Sequence, residues 1–216
     1  MGDLGHGALS RRGFMGAGLA MLGAAGLAGV GTSGIGMAAG VESTSTHAIA
    51  PGLFWKALAA LQRHGNAVAH HDRIAIADFT VPSVRPRFHL VDLASGATST
   101  LRVAHGSGSD PDHTGWLKLF SNDLGSNASS EGAFLTADYY VGKHGLSQRL
   151  SGLDPTNSNA FDRALVVHSA WYANADMIEK HGQLGRSQGC FAVGEADLEQ
   201  VFARLGDGRM IYAAKV

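Results

Sequence analysis

Hydrophobic residues along the chain follow a helical spacing first and strand-like runs afterwards. Between residues 53 and 61 they recur at helical intervals, Pro51 suits the first turn of a helix and Gly65 suits its end, so the pattern predicts an amphipathic helix over residues 51–64. From residue 73 the apolar runs become short and are interrupted by Gly, Pro and Ser, which is typical of strands. Strands are predicted over residues 74–79, 87–93, 98–104, 133–141, 164–167 and 209–214, with a further short strand directly after Cys190 and a helix over residues 195–205.

The connections between these elements complete the prediction of the fold class. Residues 94–97 have the composition of a tight turn and join two strands in a hairpin. Residues 107–130 are rich in Gly, Ser, Asp and Asn and are predicted to form a long surface connection. Because strands outnumber helices and no internal repeat is present, the sequence predicts a mostly β domain over residues 51–216, with helices at its edges.

The first forty residues differ in composition from the rest of the chain. Arg11 and Arg12 precede a glycine-rich run without charge that extends to Val41. Paired arginines before such a run are typical of a twin-arginine export signal, which predicts a signal peptide over residues 1–40, a linker over residues 41–50 and a periplasmic or other extracytoplasmic location. The alternative is an uncleaved anchor, since the run is long enough to span a bilayer, and that is the one membrane contact we expect.

Charge and cysteine content exclude several classes of function. The chain has 17 Lys and Arg against 18 Asp and Glu, so it lacks the basic excess of a nucleic-acid-binding protein. Its single cysteine excludes a disulfide framework and a zinc site built from several thiolates. None of the 11 histidines forms a helical pair with metal-ligand spacing, so neither a metal nor another cofactor is expected.

The single cysteine is also the leading candidate for chemistry. Gly189 directly precedes Cys190, and a glycine there permits the tight turn that directs amide hydrogens toward one point, as an oxyanion hole requires. A thiol nucleophile also needs a base, because the thiolate is the reactive form. His168 is the candidate base, since it ends the rigid apolar run over residues 164–167. The alternative is that Cys190 is an ordinary small hydrophobic residue of the core.

The order of these residues resembles a known family. A strand, the pair His168-Ser169, a spacer, and then Ser187, Gly189 and Cys190 resemble the L,D-transpeptidase (YkuD-like) catalytic domain, in which a histidine precedes an S/T-H-G-C motif. The resemblance extends over residues 74–214 and is nearest to the murein L,D-transpeptidase catalytic-domain subgroup, whose motif reads S-Q-G-C-F. It implies a β-sandwich or barrel of the L,D-transpeptidase type with a few peripheral helices.

The resemblance also implies a reaction and a partner. Cys190, deprotonated by His168, would attack the carbonyl of the third residue of a peptidoglycan stem peptide, and the backbone carbonyl of Ser169 would orient the histidine ring. The terminal D-alanine would leave, and an amine of another stem would take the acyl group to form a 3→3 cross-link. Two alternatives remain: transfer to water, which is L,D-carboxypeptidase activity, and a non-catalytic domain that binds the cell wall.

Roles for the residues around Cys190 follow from the same resemblance. The amides of Gly189 and Cys190 are candidate oxyanion donors, and Ser187 is expected to shape the turn and contact the substrate. Gln188 stands where the family commonly has a histidine, and the arginine that many members carry after the cysteine is missing. Arg186 is therefore a hypothetical group for recognising the substrate carboxylate.

A sortase-like transpeptidase is a rival interpretation. Sortases also place histidine before cysteine, but they need an arginine downstream of the cysteine. Arg204 and Arg209 are available for that role. The Gly-Cys pair and the short spacer favour the L,D-transpeptidase family over this alternative.

Overall fold

A computed structural model describes residues 49–216 of the chain, so the predicted signal peptide and most of the predicted linker lie outside the described residues. Within residues 49–216 the chain forms eight strands and three α-helices, and the predicted mostly β fold with peripheral helices is confirmed. None of the helices described there is long and apolar enough to cross a membrane. The elements are α1 (Pro51–Arg63), β1 (Arg73–Asp78), β2 (Phe88–Asp92), β3 (Thr98–Leu101), β4 (Gly132–Gly142), β5 (Gly145–Gly152), β6 (Val166–Ser169), α2 (Asp176–His181), β7 (Phe191–Val193), α3 (Leu198–Leu205) and β8 (Met210–Ala214).

The eight strands belong to one mixed sheet with the order β3-β2-β1-β8-β4-β5-β6-β7. The pairs β1–β8 and β6–β7 are parallel, and the other neighbours are antiparallel. After β3 the chain continues to the opposite edge, where the Ala104 amide donates a hydrogen bond of 2.8 Å to the Ala192 carbonyl of β7. The residues that follow β3, at one edge of the sheet, therefore come to lie beside β7, at its other edge.

Both faces of the central strand β1 are buried, which explains its nearly continuous apolar sequence. Ala75 and Ala77 belong to the main core, which also includes Phe191 of β7. Ile74 and Ile76 point to the opposite face and pack in the cluster that contains the buried residues of α1. Helix α1 thus covers one face of the sheet, as its amphipathic pattern predicts.

A half-buried carboxylate holds the end of α1 on the sheet. Asp154 accepts hydrogen bonds from the Ala133 amide at 2.7 Å and from His64 Nε2 at 2.8 Å, and Arg63 lies 3.3 Å away. Burial raises the pKa of Asp154, but these hydrogen bonds and the charge of Arg63 outweigh burial and lower the pKa below its ordinary value. The helix is therefore an integral part of the domain.

Two regions differ from the sequence-based prediction. Strand β5 and helix α2 were not predicted. Strand β5 lacks the usual apolar pattern because polar Ser147 and Gln148, on opposite faces of the strand, are both buried, and the Gln148 amide donates to the Gly206 carbonyl at 2.7 Å. The prediction of a surface connection over residues 107–130 is wrong for part of its length, because Asp110 and Leu117 are buried. Polar composition does not reveal burial when the fold supplies hydrogen-bond partners.

Three charged or titratable side chains form a buried network beside this connection. Arg87 donates from Nη2 to His105 Nδ1 at 2.7 Å, and His105 Nε2 lies 3.3 Å from the Asp110 carboxylate. An arginine can only donate, so His105 is the neutral tautomer with its hydrogen on Nε2. Burial and the nearby charge of Arg87 lower the pKa of His105 to about 4.

The shifted pKa of His105 predicts a loss of stability in acid. Between pH 6.5 and pH 4 the unfolded chain binds a proton at His105 that the native protein excludes, so the free energy of unfolding falls by about 3 kcal/mol from this residue alone. Chemical denaturation at a series of pH values measures the effect. In His105→Gln, whose amide can accept from Arg87 and donate to Asp110 without titrating, the decline over this range is expected to be shallower. Equal declines in the two proteins would contradict the assignment.

Candidate active site

A cavity of about 330 Å³ lies between the tip of the β4–β5 hairpin, strand β6 and the turn that precedes β7. The sequence-predicted residues His168, Ser187, Gln188, Arg186 and Cys190 all line it. Its remaining walls are formed by Tyr140, Lys143, His144, Arg163, Ala164, Val166 and Tyr172.

His168 lies on β6 between two strands that hold it in place, paired with Ser147 of β5 and with Ala192 of β7. Its Nδ1 lies 2.8 Å from the Ser169 carbonyl oxygen, and a carbonyl can only accept, so Nδ1 carries the hydrogen and Nε2 keeps its lone pair. The pKa of His168 is lowered, mainly by burial and further by the charges of His144 and Lys143, while the bond to Ser169 opposes the shift. The neutral imidazole is therefore the favoured form.

Cys190 precedes β7, and the parallel register of Val167 with Phe191 brings it alongside β6, the strand that carries His168. Its thiol donates to the Ala164 carbonyl at 3.7 Å. Burial raises the pKa of the thiol, while hydrogen bonding to the backbone of Val166 and the nearby cations oppose the shift. The resting site therefore combines a neutral thiol with a neutral imidazole, so thiolate formation requires a proton acceptor.

The turn that presents Cys190 depends on Ser187 and Gly189. Ser187 Oγ donates to the Cys190 carbonyl at 2.7 Å and accepts from the Gly189 amide at 3.1 Å. Gly189 has φ +109°, and a Cβ there would lie 2.6 Å from the Ala128 carbonyl, so no larger residue fits without a shift of the backbone. Because the Gly189 amide is bonded to Ser187, an oxyanion would have to compete with that hydroxyl for it.

The same turn is fastened to the segment that follows β3. The Ser187 amide donates to the His105 carbonyl at 2.9 Å, and the Ser107 amide donates to the Ser187 carbonyl at 2.8 Å. His105 is held in turn by Arg87 and Asp110. The buried network therefore supports the position of the nucleophile turn, although none of its members lines the cavity.

The arginines proposed from the sequence have different surroundings. Arg186 lines the cavity, and its Nη1 donates to the carbonyls of Asp110 and Pro111. Gln188 is exposed at the cavity. Arg204 and Arg209 do not line the cavity, and Arg209 forms a two-fold hydrogen bond with Asp72 at 2.9 Å for each contact. Neither of these two provides the arginine that a sortase-like site needs.

Sequence reasoning missed the residues that the β4–β5 hairpin brings to the cavity. The His144 ring stacks on the His168 ring, with centroids 4.2 Å apart and planes inclined by 21°. Burial lowers the pKa of His144, and the charge of Lys143 lowers it further. The only sequence signal for this arrangement is the Gly-Lys-His-Gly run over residues 142–145, which marks a turn but does not reveal where the turn points.

Arg163 is a second residue that sequence reasoning missed. Its guanidinium donates to the Ser121 carbonyl at 2.8 Å, to Ser130 Oγ at 2.6 Å and to the Ala128 carbonyl at 2.5 Å. Burial lowers its pKa, and the negative charges of Asp123 and, when it is a thiolate, of Cys190 oppose the shift. Arg163 thus joins the segment over residues 121–130 to the wall of the cavity beside the cysteine.

A buried histidine with an available Nε2 and a free thiol in the same cavity is the combination that nucleophilic catalysis by cysteine uses. Residues 45–214 match the family model of the L,D-transpeptidase catalytic domain. The match covers most of the chain, and the chain therefore belongs to the L,D-transpeptidase catalytic domain family. No curated protein matches the chain significantly.

Among solved structures, L,D-transpeptidases from several bacteria are similar to this chain. One from Mycobacterium tuberculosis H37Rv has 13% identity and a TM-score of 0.42, over 66% of this chain and 57% of that chain. One from Mycobacterium smegmatis has 12% identity and a TM-score of 0.41, over 66% and 58%. A third, from Stackebrandtia nassauensis, has 13% identity and a TM-score of 0.41, over 68% and 57%. This chain therefore spans less than two thirds of the length of those chains, and its family membership rests on the match over residues 45–214.

Proposed function

We propose that the protein is a peptidoglycan L,D-transpeptidase that forms 3→3 cross-links through an acyl-enzyme on Cys190, with His168 as the general base. The observation that carries the proposal is that Cys190 and His168 line one cavity, with Nδ1 of the histidine bonded to the Ser169 carbonyl. Membership of the L,D-transpeptidase family supports the choice of stem peptides as substrates.

In the first half-reaction, His168 Nε2 takes the proton of the thiol while Sγ attacks the carbonyl carbon of the third stem residue, a diamino acid such as meso-diaminopimelate. The carbonyl π electrons move onto oxygen, and the tetrahedral oxyanion forms. When the oxyanion collapses, the bond to the D-alanine nitrogen breaks and His168 returns the proton to that nitrogen. D-Alanine leaves, and the acyl group remains on Cys190 as a thioester.

In the second half-reaction, an amine of another stem attacks the thioester carbon. His168 accepts a proton from the attacking nitrogen and then returns it to sulfur as the carbon–sulfur bond breaks, which regenerates the thiol and the neutral imidazole. The lowered pKa of His168 suits this role, because the base must be unprotonated at the start of both steps.

Stabilisation of the oxyanion is assigned to the turn over residues 187–190. The Cys190 amide is the leading donor, and the Gly189 amide can contribute only when its bond to Ser187 Oγ is exchanged. Gln188 is assigned to substrate binding, because its side chain is exposed at the cavity.

The substrate also constrains where the protein acts. Peptidoglycan lies outside the cytoplasmic membrane, so the reaction requires an exported chain. Arg11 and Arg12, followed by the uncharged run, support export by the twin-arginine pathway.

The first test is covalent labelling of the thiol. Incubation with a stem tetrapeptide, or with a carbapenem as an acylating agent, is expected to increase the intact mass by one acyl group, and Cys190→Ala is expected to show no adduct. Because the chain has one cysteine, a thiol adduct can form at no other residue. An unmodified wild-type protein, or an equal adduct on Cys190→Ala, would contradict the catalytic proposal and favour a non-catalytic wall-binding domain.

Product analysis separates transfer to an amine from transfer to water. With stem tetrapeptides as both donor and acceptor, mass spectrometry is expected to find a dimer joined between third residues, together with released D-alanine. Release of D-alanine with tripeptide as the only other product would instead establish L,D-carboxypeptidase activity.

A further inference from the structure

The cavity has an excess of positive charge. Lys143, Arg163 and Arg186 line it, and none of the described lining residues is Asp or Glu. Nearby cations lower the pKa of the Cys190 thiol against the larger effect of burial, which indicates that their field reaches the nucleophile. A cavity with this charge balance suits an anionic ligand.

The three cations differ in what already binds them. Arg186 donates to the carbonyls of Asp110 and Pro111, and Arg163 donates to three oxygens of the segment over residues 121–130. For Lys143 no hydrogen bond or ion pair with another residue of the described chain is found. Among residues 49–216, its ammonium is therefore the cation at the cavity that has no competing partner.

The β4–β5 hairpin determines the position of Lys143 relative to the proposed base, His168. Gly142 pairs with Gly145, so Lys143 and His144 form the tip between β4 and β5. Gly145, directly after them, has φ +75°, the left-handed conformation of the glycine that ends a hairpin turn of the type I plus bulge kind. His144 stacks on His168. Lys143 thus lies at the tip that covers the histidine.

The position matters because His168 protonates the leaving nitrogen in the proposed reaction. The α-carboxylate of the leaving D-amino acid is attached to the carbon next to that nitrogen, so it must lie close to the histidine. In a donor with one further residue, the terminal carboxylate would be displaced by about 3.8 Å, the distance between consecutive Cα atoms. A cation beside His168 can therefore distinguish a donor that ends at the leaving D-amino acid from a donor that is one residue longer.

We propose that Lys143 binds the terminal carboxylate of the donor stem peptide and so selects tetrapeptides with a free D-alanine end. Lys143 would perform the task for which Arg186 was suggested from the sequence. The proposal rests on the proposed L,D-transpeptidase function and adds a specificity-determining residue to it.

The test compares two donors in the full-length chain: a stem tetrapeptide that ends in D-alanine and the same peptide that ends in D-alaninamide. Acylation is followed by intact mass and by release of D-alanine or D-alaninamide. The ratio of the two kcat/KM values measures recognition of the carboxylate separately from the reactivity of the thiol. Wild type is expected to prefer the acid, and Lys143→Met is expected to reduce that preference by about 10- to 100-fold, the usual contribution of a charged hydrogen bond. Lys143→Arg is expected to retain most of the preference.

Lys56→Met is the matched control, because Lys56 is an exposed lysine on α1 that does not line the cavity. It is expected to keep the wild-type ratio. A wild-type ratio in Lys143→Met, or an equal loss of rate with both donors, would overturn the proposal, since the second result would mean that Lys143 acts only on the thiol or the fold. Failure of wild type to be acylated by either peptide would contradict the proposed function itself. Acylation of wild type is therefore measured before any variant is compared.

Discussion

Replacing His168 by asparagine is expected to lower the second-order rate constant for acylation of Cys190 at pH 7 by about 10²- to 10⁴-fold. Asparagine can still donate to the Ser169 carbonyl, but it has no group that accepts the thiol proton. Because burial raises the pKa of Cys190, little thiolate is present without a base. The rate is measured from the growth of the acyl-enzyme mass, with His70→Asn, a change at an exposed histidine outside the cavity, as the control.

The pH profile of the acylation rate tests whether His168 is the base. The reactive form of His168 is neutral and its pKa lies below the ordinary 6.5, so the wild-type rate is expected to fall only as the pH drops below that value. In His168→Asn this acid limb is expected to vanish, and the rate should rise with hydroxide concentration toward the raised pKa of Cys190. If the acid limb persists in His168→Asn and disappears in His144→Asn, then His144 is the base and the assignment to His168 is wrong.

Replacing Arg87 by methionine is expected to lower the free energy of unfolding by about 3–5 kcal/mol, the usual cost of removing one member of a buried charged network. Arg87 is fully buried, and its guanidinium donates to the carbonyls of Val81 and Val103 as well as to His105. The substitution leaves the Asp110 carboxylate buried with less compensation. Urea denaturation at pH 7 measures the change.

The control for Arg87→Met is Arg85→Met, two positions earlier, where the arginine is exposed. That variant is expected to unfold within about 0.5 kcal/mol of wild type, as is usual for surface substitutions. Equal stability of the two variants would contradict the role assigned to the network. Loss of stability in Arg87→Met should also reduce acylation, because the His105 carbonyl holds the Ser187 amide.

Elements whose signals are local were predictable. Helix α1 begins at Pro51 and follows the apolar spacing, so its observed range nearly equals the predicted one. The hairpin of β2 and β3 was predictable from the turn residues between two apolar runs. Strand β5 was not predictable, because Gln148 is polar and yet buried. Its amide donates to the carbonyl of Ala137 on β4 and to the carbonyl of Gly206, which is 58 residues away in the sequence. Its inward-facing pattern exists only once the sheet has formed.

The same distinction applies to the candidate site. Cys190 and His168 could be selected because a lone thiol and a histidine at the end of a strand are recognisable in the sequence. Lys143 and His144 could not, since they reach the cavity through the length and pairing of the β4–β5 hairpin. Arg186 was selected for its charge, but the charge alone did not show that its guanidinium binds two backbone carbonyls.

The sequence by itself determined the family resemblance, the mostly β fold class and the two residues proposed to carry the reaction, because motif order and hydrophobic period are properties of neighbouring positions. The tertiary structure alone decided that the segment after β3 pairs with β7 through Ala104 and Ala192, that a network around Arg87 supports the nucleophile turn, and that Lys143 lies at the cavity with no partner among residues 49–216. Each of these depends on contacts between segments far apart in the chain. Such contacts depend on which strands pair and which charges are removed from water, and neither can be predicted from residues that are neighbours in the sequence.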